Sequence, residues 1–147
     1  MKEINYLFVT HGSFGKGIVS SLDVIMGNML ADYKVEYIEI SNEISNDEVI
    51  TNIYDYLKVK ENNLVFILTD VAIGSSTQNC IRAMEKFENQ PDNVHLITGI
   101  NLPFVLSIFM LEQNDNQSID KQINEFIEQN KEMLIYINSK ERDEDLD

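Results

Sequence analysis

Apolar strand-like runs alternate with helical segments along this chain, and this alternation restricts the fold more than any other feature. The first and third runs are apolar throughout, as in parallel strands buried on both faces, whereas the second alternates apolar and charged residues and is expected at an edge. The pattern predicts a doubly wound, mainly parallel α/β sheet with strand order 2-1-3-4, right-handed crossovers and helices on both faces. The predicted strands are 4–9, 35–40, 64–69 and 94–98, and the predicted helices are 16–31, 47–58 and 76–89.

The last third of the chain predicts two more helices. Pro103 is tolerated in a first helical turn and precedes the apolar run 104–111. Ser118 is expected to cap a helix that ends at about Glu132, and residues 134–137 either continue that helix or form a short C-terminal edge strand. We expect residues 1–138 to form one domain and the charged residues 139–147 to be a frayed tail.

Charge and cysteine content exclude several classes of function. With 25 acidic and 11 basic residues, the net charge of −14 disfavours nucleic acid and anionic membranes and suits a partner with a basic face. The single cysteine, Cys80, cannot form an internal disulfide, and no signal peptide is present, so a cytoplasmic protein is expected. Two distant histidines and one cysteine predict no metal site, and no cofactor is expected.

Two polar residues follow the ends of the central strands. His11 follows the first run and Asp70 follows the third, so the predicted strand order places them side by side in the crevice where the winding reverses. A carboxylate that accepts a hydrogen bond from one imidazole nitrogen fixes the tautomer and leaves the other nitrogen free as a nucleophile. The pair would then carry catalysis, with backbone amides and hydroxyls at Gly74, Ser75 and Ser76 receiving phosphoryl oxygens.

Each of these residues also has a purely structural interpretation. His11 alone could hydrogen-bond a turn, Asp70 could cap a loop, and the two serines could cap a helix. His95, inside a strand with apolar neighbours, is expected to be structural, and Cys80 is expected to be a small core residue. Only the combination of strand-end motifs is informative. The absence of a Walker lysine loop disfavours direct hydrolysis of nucleoside triphosphates.

That combination resembles the EIIA domain of the mannose family of the sugar phosphotransferase system. The resemblance is carried by Thr10-His11-Gly12, by Thr69-Asp70 through Gly74-Ser75, and by Gly99-Ile100-Asn101-Leu102-Pro103, and it extends over nearly the whole chain. It implies that His11 accepts a phosphoryl group from the phosphocarrier HPr and passes it to EIIB, with Asp70 as the orienting partner. The implied phosphoryl-binding residues are Gly12, Gly74, Ser75 and Ser76, and Asn101 is implied at the rim of the site or at a partner contact.

The resemblance also implies an assembly and a role. Family members are typically homodimers that exchange a short C-terminal strand, for which residues 134–137 are the candidate. The role would be sugar import, with an indirect membrane link through EIIC and EIID. The alternative is a regulatory EIIA-like domain, phosphorylated at the same histidine, that serves a transcriptional activator or a dihydroxyacetone kinase relay. A flavodoxin-like binding module without phosphotransfer would be favoured if His11 and Asp70 were too far apart for a hydrogen bond.

The chain departs from the family pattern in the loop after Asp70. Where the family usually has Gly-Gly-Ser-Pro, this sequence has Ile73-Gly74-Ser75-Ser76. Because Ile73 cannot easily adopt a positive φ, the loop backbone is expected to differ from that of the family.

Overall fold

The computed structural model describes residues 1–87, 91–114 and 116–140, and the expected frayed tail falls mostly outside these ranges, at residues 141–147. The strands are β1 (Ile4–His11), β2 (Lys34–Ile40), β3 (Leu64–Thr69) and β4 (Val94–Ile97). The α-helices are α1 (Phe14–Met26), α2 (Asn46–Val59), α3 (Ser75–Lys86), α4 (Leu102–Phe109) and α5 (Ile119–Asn130). Short 3-10 segments lie at Gly27–Asp32 and Pro91–Asn93.

The strands form one parallel sheet in the order β2-β1-β3-β4, which confirms the predicted topology. Every residue of β3 is buried, as its uninterrupted apolar sequence predicts. Strand β2 pairs with β1 and lies at the edge of the sheet, where its glutamates are exposed. The apolar and alternating patterns therefore correctly distinguished the central strands from this edge strand.

Each face of the sheet carries its own hydrophobic core, so helices cover both faces as predicted. Tyr6, Phe8 and Phe66 belong to the core formed with α1, α4 and α5. Alternate strand residues, including Leu7 and Ile67, point to the opposite face and pack with α2 and α3. The expectation that Cys80 is a small core residue is confirmed, because it lies in this second core with no exposed surface.

The end of β1 and the end of α1 differ from the sequence prediction. Strand β1 continues two residues beyond the predicted end, because His11 remains paired with Ile40 of β2. Helix α1 ends at Met26 rather than near residue 31, since Gly27 has a φ of 63° and interrupts the helix. The residues that follow form a 3-10 segment instead.

The C-terminal segment is neither of the two structures expected from its sequence. Helix α5 ends at Asn130, and residues 133–138 form no regular secondary structure and pair with none of the four strands. A strand is held by its ladder hydrogen bonds, and within one chain this short segment does not lie along β4. Its apolar side chains are consequently exposed, with Leu134 at 97% and Tyr136 at 86%.

The start of α1 packs closely on the end of β1 and thereby fixes the turn after His11. The backbone N–H of Gly15 donates to Oγ1 of Thr10 at 2.9 Å. A Cβ atom at position 15 would lie 2.8 Å from Cβ of Phe8, which is closer than real contacts allow. Only glycine therefore permits this approach of helix to strand.

Two glycine-to-alanine variants in α1 should change stability in opposite directions. Gly15→Ala should lower the free energy of unfolding by about 1–3 kcal/mol, because the added methyl group overpacks against Phe8. Gly17→Ala should raise it by about 0.5–1 kcal/mol, because nothing lies within 4 Å of its Cβ position and alanine favours the helix. Denaturant unfolding measures both values. Equal effects of the same sign would contradict the close packing.

Candidate functional site

The candidate site lies where the two central strands end side by side. Strands β1 and β3 are hydrogen-bonded neighbours with Val9 opposite Thr69, so β3 ends beside the last residues of β1, at the carboxyl end of both strands. From β1 the chain continues to β2 on one side, and from β3 it continues to β4 on the other. The carboxyl end of β1 and β3 is therefore the switch-point crevice of the fold. His11 is the last residue of β1, and Asp70 directly follows β3.

His11 and Asp70 are joined by two contacts to one carboxylate oxygen. The backbone N–H of His11 donates to Oδ2 of Asp70 at 2.8 Å, and Nδ1 of the imidazole lies 2.8 Å from the same oxygen. Since a carboxylate only accepts hydrogen bonds, this geometry places the ring proton on Nδ1 and leaves the lone pair on Nε2. The side chain of His11 is 49% exposed and that of Asp70 is 10% exposed. The 2.8 Å distance between Nδ1 and Oδ2 is within hydrogen-bond range, and a longer distance would have favoured a binding module without phosphotransfer.

The carboxylate of Asp70 is held as an anion. Its partial burial opposes ionisation, but hydrogen bonds from the backbone and ring of His11 and from the hydroxyl of Ser76 outweigh that effect and lower the pKa of Asp70. The other oxygen, Oδ1, accepts from the backbone N–H of Val71 at 3.0 Å and from Oγ of Ser76 at 2.9 Å. Both oxygens of the carboxylate are therefore engaged, one with His11 and the other with the following loop and helix.

Ser75 is the side chain nearest to the free nitrogen of His11. Its Oγ lies 3.4 Å from Nε2, and it is the first residue of α3. The first N–H groups of a helix have no acceptor within the helix, and its N-terminus favours negative charge. Gly74 precedes the helix and carries no side chain that would cover these N–H groups. A small anion bound to Nε2 would meet the Ser75 hydroxyl and this helix terminus.

The remaining predicted phosphoryl-binding residues occupy less direct positions. The backbone N–H of Gly12 donates to the carbonyl of Ile40 at 2.9 Å, so it contributes to the β1–β2 edge. Ser76 is fully buried, and its hydroxyl donates to Asp70. The structure thus brings Ser75 to Nε2 and turns Ser76 to the carboxylate behind the ring.

Asn101 lies at the end of the next strand and caps a helix. Its side-chain oxygen accepts from the backbone N–H of Phe104 at 2.9 Å, at the start of α4. The neighbouring Ile100 N–H donates to the carbonyl of Thr69, which ties this loop to the end of β3. Asn101 also lines an open groove of about 910 Å³ along β4, so it lies beside the site rather than against His11.

Three threonines to which the sequence assigned no role support the loop geometry. Thr10 anchors the start of α1, and Oγ1 of Thr69 lies 2.8 Å from Oγ1 of Thr77. The Thr77 hydroxyl also lies 2.6 Å from the carbonyl of Val71, to which it donates. The sequence does carry a signal for the first two, because a threonine ends each central apolar run directly before His11 and Asp70.

The loop between Val71 and Gly74 exposes Ile73 almost completely, at 93%.

His95 and Cys80, the other candidate residues of the sequence, are packed among residues of the core. The ring of His95 packs near Phe66, and burial lowers the pKa of His95 against the opposing attraction of the Asp120 carboxylate, 3.6 Å away. Burial raises the pKa of the Cys80 thiol to about 12, so it is a poor nucleophile. In the described ranges, no group of three potential ligands could hold a metal ion. Nor do those ranges contain a helix long and apolar enough to cross a bilayer.

Several solved structures share this fold. The chain is similar to the phosphotransferase system component EIIA of Streptococcus agalactiae, with 23% identity, a TM-score of 0.70 and coverage of 90% of this chain and 96% of that one. The mannose/sorbose specific IIA subunit of Enterococcus faecalis gives 18% identity, a TM-score of 0.72 and coverage of 97% and 100%. The IIA protein associated with the fucose utilization operon of Streptococcus pneumoniae gives 20% identity, a TM-score of 0.70 and coverage of 92% and 93%.

The family follows from a comparison of sequence rather than fold. Among curated proteins, none matches this chain significantly. The family model EIIA-man, described as "PTS system fructose IIA component", matches residues 6–131, which include both His11 and Asp70. The chain therefore belongs to the EIIA-man family and is a component of a sugar phosphotransferase system.

Proposed function

We propose that this protein carries a phosphoryl group on Nε2 of His11, accepting it from phospho-HPr and passing it to EIIB. The observation that carries this proposal is the 2.8 Å contact between Nδ1 of His11 and Oδ2 of Asp70 on a half-exposed ring. In the neutral form of the imidazole, this contact keeps the proton on Nδ1 and leaves a nucleophilic lone pair on Nε2.

The transfer exchanges one phosphorus–nitrogen bond for another. The Nε2 lone pair attacks the phosphorus of phospho-HPr, the bond to the donor's histidine breaks, and the donor imidazole leaves with its electron pair. The proton on Nδ1 of His11 stays in place, hydrogen-bonded to Asp70, whose negative charge stabilises the developing positive charge of the ring. In the second transfer, a nucleophile of EIIB attacks the phosphorus, the bond from phosphorus to Nε2 of His11 breaks, and its electron pair returns to Nε2, which regenerates neutral His11.

Ser75 and the start of α3 would hold the transferred group. The Ser75 hydroxyl is 3.4 Å from Nε2 and can donate to a phosphoryl oxygen, while the first N–H groups of α3 point to the same edge. Gly74 leaves that helix terminus uncovered. Gly12 and Ser76 would contribute through the backbone turn and through Asp70 rather than by direct contact.

The charge and the exposed rim support docking of protein partners. The net charge of −14 favours a partner with a basic face through electrostatic steering. Phe14 and Val71 are partly exposed and Ile73 is almost fully exposed, all within a few residues of the site. HPr and EIIB are the proposed partners, and the cytoplasm is the proposed location. The link to the membrane would be indirect, through EIIC and EIID, with no nucleic acid involved.

Phosphorylation of the intact protein tests the proposal. Incubation with phosphoenolpyruvate, enzyme I and HPr should add a single acid-labile phosphoryl group, detected by intact mass before and after acid treatment. Subsequent addition of the EIIB component should remove it. A wild-type protein that stays unmodified in the presence of phospho-HPr would overturn the proposal.

We also propose that two copies of this chain form a dimer through the segment after α5. Ile135 and Ile137 are both more than half exposed, and the outer edge of β4 carries no strand in the described ranges. An open groove along β4, lined by residues that include Leu96 and Ile127, could accept an apolar segment from a partner. The inter-strand hydrogen bonds missing within one chain would then form between two chains.

A double substitution in this segment tests the dimer. Ile135→Asp combined with Ile137→Asp should convert a dimer to a monomer, because charged side chains cannot be buried against the groove without a large cost. Sedimentation equilibrium measures the molecular mass. Val59→Asp is the matched control, since Val59 is equally apolar and 78% exposed but lies at the end of α2. A monomeric wild-type protein, or loss of the dimer in both variants, would contradict the proposal.

A further inference from the structure

Ser76 differs from the other residues of the site because it is fully buried and still contacts the catalytic pair. Its hydroxyl donates to Oδ1 of Asp70 at 2.9 Å, while the opposite oxygen, Oδ2, contacts His11. Where the family pattern usually has proline, which carries no hydroxyl, this chain has a serine.

The geometry around Asp70 shows what this hydrogen bond adds. The other donor to Oδ1 is the N–H of Val71, which belongs to the next residue and moves with Asp70. Ser76 instead lies in the first turn of α3, directly after the residue whose hydroxyl faces Nε2 of His11. Helix α3 thus contacts both members of the pair. Its Ser76 holds the carboxylate of Asp70, and its Ser75 lies beside Nε2 of His11.

We infer that Ser76 is a positioning residue, which fixes the Asp70 carboxylate so that Nδ1 of His11 keeps the proton and Nε2 is the acceptor of the phosphoryl group. The inference rests on the proposed function for the phosphoryl step, but its effect on the histidine tautomer is a property of the free protein. In the part of the chain that the structure describes, His11 of β1 is the titratable group that contacts Asp70, and the contacts from α3 come from a neutral hydroxyl. A hydrogen bond to a charged acceptor is among the stronger ones in proteins.

Loss of the Ser76 hydroxyl should change the pH at which Asp70 is protonated. The Ser76 hydroxyl favours the ionised form of Asp70 and so contributes to its lowered pKa. Removing that hydroxyl raises the pKa of Asp70, so the carboxylate is protonated at a higher pH as the solution is acidified. Carbon-13 NMR of the Asp70 carboxyl group should therefore show protonation at a higher pH in the variant than in the wild type.

The test combines a spectroscopic and a kinetic measurement on Ser76→Ala. Nitrogen-15 NMR of the free protein should show that the ratio of the Nδ1–H to the Nε2–H tautomer of His11 falls, by roughly tenfold, and the phosphorylation rate should fall by a similar factor. Ser76→Cys keeps the volume but is a much weaker donor, and it should behave like Ser76→Ala. Ser76→Thr, which keeps a hydroxyl, should recover both readouts.

Thr77→Val is the matched control for a general loosening of the loop. The Thr77 hydroxyl holds the same loop through the Val71 carbonyl but does not contact Asp70, so this variant should keep the wild-type tautomer ratio and the wild-type pH of Asp70 protonation. Unchanged readouts in Ser76→Ala, or equal shifts in Thr77→Val, would overturn the inference. If the tautomer ratio shifts but neither wild type nor variant is phosphorylated, the proposed function fails and the positioning role stands.

Discussion

His11→Ala should abolish phosphorylation by phosphoenolpyruvate, enzyme I and HPr, because it removes the nitrogen that would carry the phosphoryl group. The reduction should reach the detection limit, since His11 is the imidazole that contacts Asp70 in the described part of the chain. Intact-mass measurement over a time course, with acid treatment of parallel samples, gives the phosphorylated fraction. Circular dichroism and thermal unfolding of the variant would show that the half-exposed side chain is removed without loss of the fold.

His95→Gln provides the control for this experiment. His95 is a histidine in the same sheet, but it lies in β4 with a mostly buried ring packed near Phe66. Phosphorylation of this variant should match that of the wild type. An acid-labile group that persists in His11→Ala and disappears in His95→Gln would show that His95 carries the phosphoryl group, which would contradict the proposed mechanism.

Asp70→Asn should slow phosphorylation by at least about a hundredfold while leaving the backbone of the site in place. With its amide oxygen in the place of Oδ2, asparagine still accepts from the backbone and ring N–H groups of His11 but carries no charge. With its amide nitrogen in that place, it donates to Nδ1 of the ring instead. That arrangement puts the ring proton on Nε2, where it blocks nucleophilic attack, and it removes the negative charge that stabilises the phosphorylated ring. Single-turnover phosphorylation by phospho-HPr measures the rate.

Asp120→Asn is a matched control for Asp70→Asn, because Asp120 also lies beside Nδ1 of a histidine. It is 3.6 Å from His95, exposed, and on α5 rather than at the strand ends. This variant should be phosphorylated at the wild-type rate. If Asp70→Asn were as fast as Asp120→Asn, Asp70 would have no role in selecting the tautomer, and the proposed catalytic pair would be wrong.

The sequence was sufficient for the sheet and for the pairing of His11 with Asp70. Uninterrupted apolar runs mark strands buried on both faces, and the alternation in β2 marks the edge, so the strand order and the neighbouring strand ends follow. The short segment 134–137 could not be predicted in the same way. Its apolar pattern indicates that these side chains favour burial, but it does not indicate whether the same chain or a second copy would cover them.

The individual roles of Ser75 and Ser76 were also beyond the sequence. Both serines begin a helix, and their order does not say which hydroxyl faces the histidine and which faces the carboxylate. That choice depends on the backbone path of the loop after Asp70, including Gly74 with its φ of 158°. Only three-dimensional geometry separates a serine in contact with Nε2 from one in contact with Asp70.

The pairing of β1 with β3 makes the contact between His11 and Asp70 depend on the register of the sheet. His11 and Asp70 are separated by 59 positions in the chain and meet because Val9 lies opposite Thr69. A slip by one residue would turn the side chains of β1 to the wrong faces of the sheet, and a slip by two would move the histidine about 7 Å from its carboxylate. The phosphorylated fraction of a refolded sample would therefore count the molecules that have reached the native register, independently of their helical content.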